Sequence, residues 1–175
     1  DAALLTTVGP GIYTAPVTDQ AGAGGLSIVE LYDMANGTGD LRILNLATRG
    51  PVGDGSEQLI AGFAIPGELP RRVLVRAVGP TLADFGVTEA VADPRLEVVS
   101  TAADGTQRRL AANDDWFRAE NAAELAQVME TVGAFTLPPT SRDAAALVEL
   151  SPGAYTVLVN ATSSGIALVE IYAVE

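Results

Sequence analysis

With 175 residues, 48% of them hydrophobic, the chain has the length and apolar content of one domain, or one domain with an appendage. Its 22 acidic residues outnumber 10 basic ones, all of them Arg, and the formal charge of −12 argues against nucleic acid and anionic lipid as partners. Cys, His and Lys are all missing, which removes disulfides, thiolate and imidazole metal ligands, the usual general base and Lys-based covalent chemistry.

Period-two alternation of aliphatic and β-branched residues predicts strands over 3–8, 12–18, 26–33, 41–47, 58–65, 72–78, 95–100, 107–112, 144–150, 154–160 and 166–174. Turn signals such as "GPG", "GAGG", "PVGDGSE", "IPGELP", "AADGT" and "SPG" separate them. One stretch departs from this pattern. In "RAENAAELAQVMETVGAF", Ala122, Leu125, Ala126 and Met129 fall at helical spacing, predicting a helix over 119–131 across one end or edge of the fold. Many short strands with Gly and Pro punctuation predict an all-β protein: an antiparallel sandwich with jelly-roll or Greek-key connections and one short helix. The apolar runs are short and broken, so no membrane insertion is expected.

The two ends of the chain repeat one another. Aligning Pro10 with Pro152 sets Gly11, Tyr13, Thr14 and Val17 on Gly153, Tyr155, Thr156 and Val159. After a gap of two residues, Gly25, Val29, Glu30 and Tyr32 fall on Gly165, Val169, Glu170 and Tyr172. Each copy reads as strand, "PG" turn, strand, Gly-rich turn, strand, with Gly11 and Gly153 expected in equivalent hairpins. Two explanations follow. The copies are pseudo-symmetric halves of one sandwich, or they are the ends of consecutive modules in a tandem array. Residues 41–143 have no second copy, which favours the array. Residues 1–34 are then a strand-rich arm equivalent to the end of a preceding module, and 35–175 form a complete module. A three-stranded end piece cannot bury both faces alone and needs a neighbour.

The segments "LRILNLATRGPVGDGSEQLIAGFAIPGELPRRVLVRAVGPTLADFGV", "DPRLEVVS", "NDDW" and "PGAYTVLV" resemble a repeat module of very long secreted bacterial proteins. In those proteins "NLSTRG", "LIAGF", "VLIRAVGPTL", "NDDW" and "PGAYT" recur in this order. The resemblance implies an extracellular or cell-surface location and neighbouring modules of the same protein as partners. A weaker similarity runs to bacterial pre-peptidase C-terminal domains, through the "NDD" turn and the "G-x-Y-x-V-x-V" strand. That similarity implies a non-catalytic β-sandwich that in some cases binds calcium or a polymeric substrate such as a polysaccharide.

No motif commits the chain to catalysis. Asp54, Ser56 and Glu57 share a Gly-rich loop, but a Ser without a base is no nucleophile. "RAVGPTLADFG" lacks the Gly spacing and Lys of a phosphate loop, and Arg76 is expected to pair with an acid at a sheet edge or loop. "AANDDWF" offers Asn113, Asp114 and Asp115 as hard oxygen ligands for calcium. The competing reading of that segment is a hydrogen-bonded turn with Trp116 packed over the sandwich end. A third is a sugar stacked on the indole. No other cofactor is expected.

The candidate assembly residues are Leu5, Tyr13, Val17, Ile28, Val29, Leu31 and Tyr32 in the arm. Their counterparts are Leu147, Tyr155, Val159, Ala167, Leu168, Val169, Ile171 and Tyr172. The function expected is a non-enzymatic building block of an extracellular filament or surface array, self-associating head to tail as the arm complements the strands of a neighbour. The alternative is a carbohydrate- or surface-binding accessory module within a longer secreted protein.

Overall fold

The computed structural model describes residues 2–34, 43–55, 57–102 and 104–174. The chain divides into two units, residues 1–43 and 44–175. Among the described residues the second holds eight strands: β1 (Asn45–Val52), β2 (Leu59–Ile65), β3 (Arg71–Val78), β4 (Pro94–Thr101), β5 (Gln107–Asn113), β6 (Ala144–Leu150), β7 (Gly153–Ala161) and β8 (Gly165–Val174). They form two antiparallel four-stranded sheets, ordered β1-β8-β3-β6 and β2-β7-β4-β5. This is the strand order of a jelly roll.

Only β4 and β5 are sequence neighbours that pair directly. Every other link crosses from one sheet to the other. The "PG" turn between β6 and β7 is therefore an arch between sheets and not the hairpin expected from the sequence. Because β7 and β8 arrive last and insert between earlier strands, each is flanked on both sides, by β2 and β4 and by β1 and β3.

Alternation explains the layering. In β3, Val73, Val75 and Ala77 face the opposite sheet, where they meet Leu96, Val98, Val157 and Val159. The intervening Leu74 and Val78 face the other way, onto a helical layer. Burial on both faces is why "VLVRAV" reads as a nearly continuous apolar run. The layer consists of 3-10 turns at Pro80–Phe85 and Trp116–Arg118 and one helix, α1 (Ala122–Thr131). Leu125, Val128 and Met129 of α1 pack against Leu74, Val78, Ala145 and Tyr172. The helix thus covers the outer face of the β1-β8-β3-β6 sheet and does not cross its end. The outer face of the other sheet stays open, with Ile60 exposed.

Two features differ from the sequence expectation. The first strand of the sandwich runs to Val52, through Gly50 and Pro51, where a turn was expected; residues 41 and 42 of the expected 41–47 lie outside the described residues. Gly and Pro are tolerated because β1 is an edge strand that pairs on one side only. The strands expected at 3–8, 12–18 and 26–33 are absent from the structure: residues 2–34 form no ladder, and neither sheet contains a strand from them. Alternation favours a strand, but a ladder also needs a partner edge. The β6–β8 positions of the sandwich are filled by residues 144–174.

Leu96→Ala should lower unfolding free energy by about 2–5 kcal/mol, because the side chain is fully buried between the sheets. Ile60→Ala, on the open face, should stay within about 0.5 kcal/mol. Denaturant titration of the two variants checks both.

Candidate functional site

The arm, described by itself, carries many exposed apolar side chains. Leu5, Tyr13, Val17, Ile28, Val29, Leu31 and Tyr32 are each at least 58% exposed. Of their counterparts, Val159, Ala167, Val169, Ile171 and Tyr172 are buried and Leu147, Tyr155 and Leu168 half-buried. Contiguous exposed apolar surface is of the kind that marks interaction sites or aggregation liabilities.

Although the arm forms no strand, it makes the same local bonds as its copy. The Tyr13 hydroxyl donates to the Gly9 carbonyl at 2.8 Å, and the Tyr155 hydroxyl donates to the Ser151 carbonyl at 2.6 Å, both reaching back four residues. Behind each ring lies the glycine of the "PG" pair: a Cβ at Gly11 would stand 3.4 Å from the Tyr13 ring, and one at Gly153 3.7 Å from the Tyr155 ring. Farther along, the Tyr32 hydroxyl donates to Glu30 Oε1 at 3.0 Å, and the Tyr172 hydroxyl donates to Glu170 Oε1 at 2.8 Å. The two copies thus share these tyrosine hydrogen bonds, although residues 2–34 form no strand and residues 144–174 form three.

The turn between the arm's second and third segments is also built. Asp19 accepts from the backbone N–H groups of Ala21, Ala23 and Gly24 at 3.0, 2.7 and 3.2 Å. These backbone donors, Ala21 first, hold its carboxyl below the usual Asp value. Gly22 and Gly24 take φ of 70° and 71°, which their missing Cβ permits.

In the sandwich, Glu170 does more than receive Tyr172. It lies opposite Arg76 across the β3–β8 ladder, with Nη2 and Oε2 2.9 Å apart. Both residues are buried, at 0% and 5% exposure. Arg76 Nη1 donates to the Phe135 carbonyl at 2.6 Å, and the guanidinium carbon sits 4.2 Å over the Phe135 ring. The Nη2 contact is off-line for a hydrogen bond and Nε has no partner among the described residues, so the cation relies on the carboxylate's charge. Arg76 does pair with an acid, but in mid-sheet beneath the helical layer, not at the edge or loop expected. Nothing in "VLVRAV" or "ALVEIY" alone shows that the two charges meet; only the β3–β8 register does.

The "NDDW" residues are distributed, not clustered. Asn113 Oδ1 accepts from the Ala145 N–H at 3.0 Å, and its amide donates to the Asp115 carbonyl at 3.3 Å, stapling β5 to β6. Asp114 lies 3.6 Å from Arg95 and Asp115 3.2 Å from Arg118. Among the described residues no group of three or more Asp or Glu could hold a metal ion. The Trp116 indole is 6% exposed and donates to the Pro138 carbonyl and the Ser141 hydroxyl at 3.2 and 3.3 Å, so it offers no ring face to a sugar. Asp143, which no sequence pattern marks, is fully buried. It accepts from the Gly79 N–H at 2.8 Å and from the Thr81 hydroxyl, tying the end of β3 to the start of β6.

A shallow open cleft of about 430 Å³ lies beside the β6–β7 arch, with Ser100, Thr106, Arg108 and Tyr155 in its lining. Its residues present no paired carboxylates and no nucleophile with a base.

Burial, then the adjacent Glu170 carboxylate, pushes the Tyr172 hydroxyl far above the ordinary tyrosine pKa. The folded state thus holds that proton more tightly than the unfolded chain. The stability this contributes is complete below pH of about 10 and is lost as pH rises beyond it. Melting curves should fall steeply with alkalinity there, and Tyr172→Phe should flatten the fall.

Among the described residues no helix is long and apolar enough to cross a membrane. A scan against protein-family models and a search of curated proteins found no match. Among solved structures, the chain is similar to the pre-peptidase C-terminal domain of a collagenase from Bacillus anthracis, with a TM-score of 0.41 and 12% identity over 73% of this chain and 89% of that one.

Proposed function

We propose that the chain is a non-enzymatic structural module of an exported protein, a building block of an extracellular filament or surface array. Its arm supplies the β6–β8 strands to the sandwich body of a neighbouring module. Arrays of such modules, on one polypeptide or on successive copies whose own β8 is displaced, then run head to tail. The observation that supports this reading most directly is the arm's reproduction of the Tyr155 and Tyr172 hydrogen bonds at Tyr13 and Tyr32, on side chains that are left exposed. Export is taken from the sequence's likeness to modules of secreted bacterial proteins.

The three segments of the arm correspond to an edge strand and to one interior strand of each sheet. Such strands have unpaired N–H and C=O groups on both sides until a partner accepts them. Calcium is not required by this reading. If a cation binds the folded form at "NDDW", it raises the melting temperature, and chelation lowers it.

A chain carrying a second body, residues 44–142, ahead of Asp1 should form two sandwiches in series. Electron microscopy should show two-lobed particles, and amide exchange in segments 3–8, 12–18 and 26–33 should slow by at least about a hundredfold, as expected for ladder amides against frayed ones. Fast exchange in all three segments would remove the reading. A compact 18.0 kDa monomer of the unaltered chain that is retained by polysaccharide would instead support the accessory binding module.

A further inference from the structure

A sandwich body without its β8 is missing more than a ladder. Arg76 lies buried on β3, aimed at the position that Glu170 occupies on β8. A guanidinium left there without an acid is an uncompensated buried charge, among the more destabilising defects a core can hold. The strand that fills the slot must therefore bring a carboxylate at one defined position.

The arm brings one. Glu30 stands where Glu170 stands in the copy, and Tyr32 already donates to it as Tyr172 donates to Glu170. Gly25 stands where Gly165 stands. Gly165 is needed at its position because residues 89–91 run directly past it: a Cβ there would fall 2.8 Å from the Val91 N and Cα and 3.0 Å from the Glu89 carbonyl. The arm thus meets two separate demands of the slot, a carboxylate opposite the arginine and no side chain beside residues 89–91.

We propose that the arm's partner is the β1–β5 body of a second module of this kind with its β6–β8 slot open, and that Glu30 is the key, entering as counter-charge to the body's buried arginine, the equivalent of Arg76. The inference rests on the structural-module reading and names its partner. An intact copy of the chain has no such opening. Its own β6–β8 fill the slot, and exchanging them for an incoming arm breaks and remakes the same ladders. Identical chains therefore accept one another's arms only when their own β8 is displaced.

That condition can be imposed on the full-length chain in two ways. Gly165→Val forces β8 away from residues 89–91, and Glu170→Lys sets a like charge against Arg76; both leave the arm unaltered. The two variants are read together by light scattering and circular dichroism, each with and without Glu30→Gln. The expected result is that they recover β-structure as oligomers at multiples of 18.0 kDa, and that Glu30→Gln reduces the oligomer at least tenfold. Oligomers equally abundant with Glu30→Gln would overturn the charge key while leaving the arm as a donor of strands. Unfolded or purely monomeric chains in both displaced variants would overturn the partner assignment and the arm reading together.

Discussion

The sandwich depends on where its last two strands go. Of its six ladders, four contain β7 or β8, and only β3–β6 and β4–β5 do not. Without β8, β1 has no partner and is cut off from β3. Without β7, β2 is cut off from β4 in the same way. The first five strands cannot then close a core, because each sheet is held together through a strand that arrives at the end of the chain. Pairings between such distant segments carry a large loop-closure cost before any contact offsets it. A fold of this order is stable only once its C-terminal segment is in place.

The same dependence explains a charged pair in an otherwise apolar place. Replacing a buried ion pair by well-packed hydrophobes is often neutral or stabilising, so Arg76 and Glu170 are weak evidence for stability as such. Their value lies in register. The two residues face each other directly across the β3–β8 ladder, and a slip by one residue would turn Glu170 to the other face of the sheet, among Val169 and Ile171 of the inter-sheet core. With Phe135 stacked on the guanidinium, Asp143 binding the end of β3 and Asn113 stapling β5 to β6, the covered sheet is fixed at several polar points. The open sheet has its β-bulge at Val98/Val99 and an exposed outer face.

The all-β class, the sandwich and most strand positions were legible in alternation and Gly/Pro punctuation, because the half-buried β-strand leaves a period of two in the letters. The β1 boundary was not, since Gly50 and Pro51 read as a turn and only their edge position makes them tolerable in a strand. The helix was placed but not its role: "AAELAQVMET" shows an apolar stripe without saying which surface it covers. Arg76 was read as an ordinary paired charge, and its burial follows from a ladder between residues 94 positions apart, which no local pattern encodes. Asp143 was missed because a lone acid in "TSRDAAAL" has no pattern at all; its importance comes from the backbone N–H of Gly79 at 2.8 Å. For the candidate assembly residues the letters show a likeness between the two copies, and the matching hydrogen bonds lie at two of the positions, Tyr13/Tyr155 and Tyr32/Tyr172.

The arm separates two kinds of information that strands usually carry together. Its alternation is intact, yet no ladder forms in residues 2–34, so intrinsic pattern alone does not make a strand. What does persist is local: tyrosines reaching back four and two residues, and an Asp19 turn closed by three backbone N–H groups. These bonds span at most five residues, so their closure cost is small and they form without a partner. Ladders would in addition need the free edge of a partner strand. A segment held in this condition, with turns and side-chain bonds set and backbone edges vacant, has less conformational freedom to lose on docking than a random chain of equal length. It also carries the hazard of any exposed apolar edge. The acidic character of the whole chain, −12 in 175 residues, opposes indiscriminate pairing of such edges through charge repulsion.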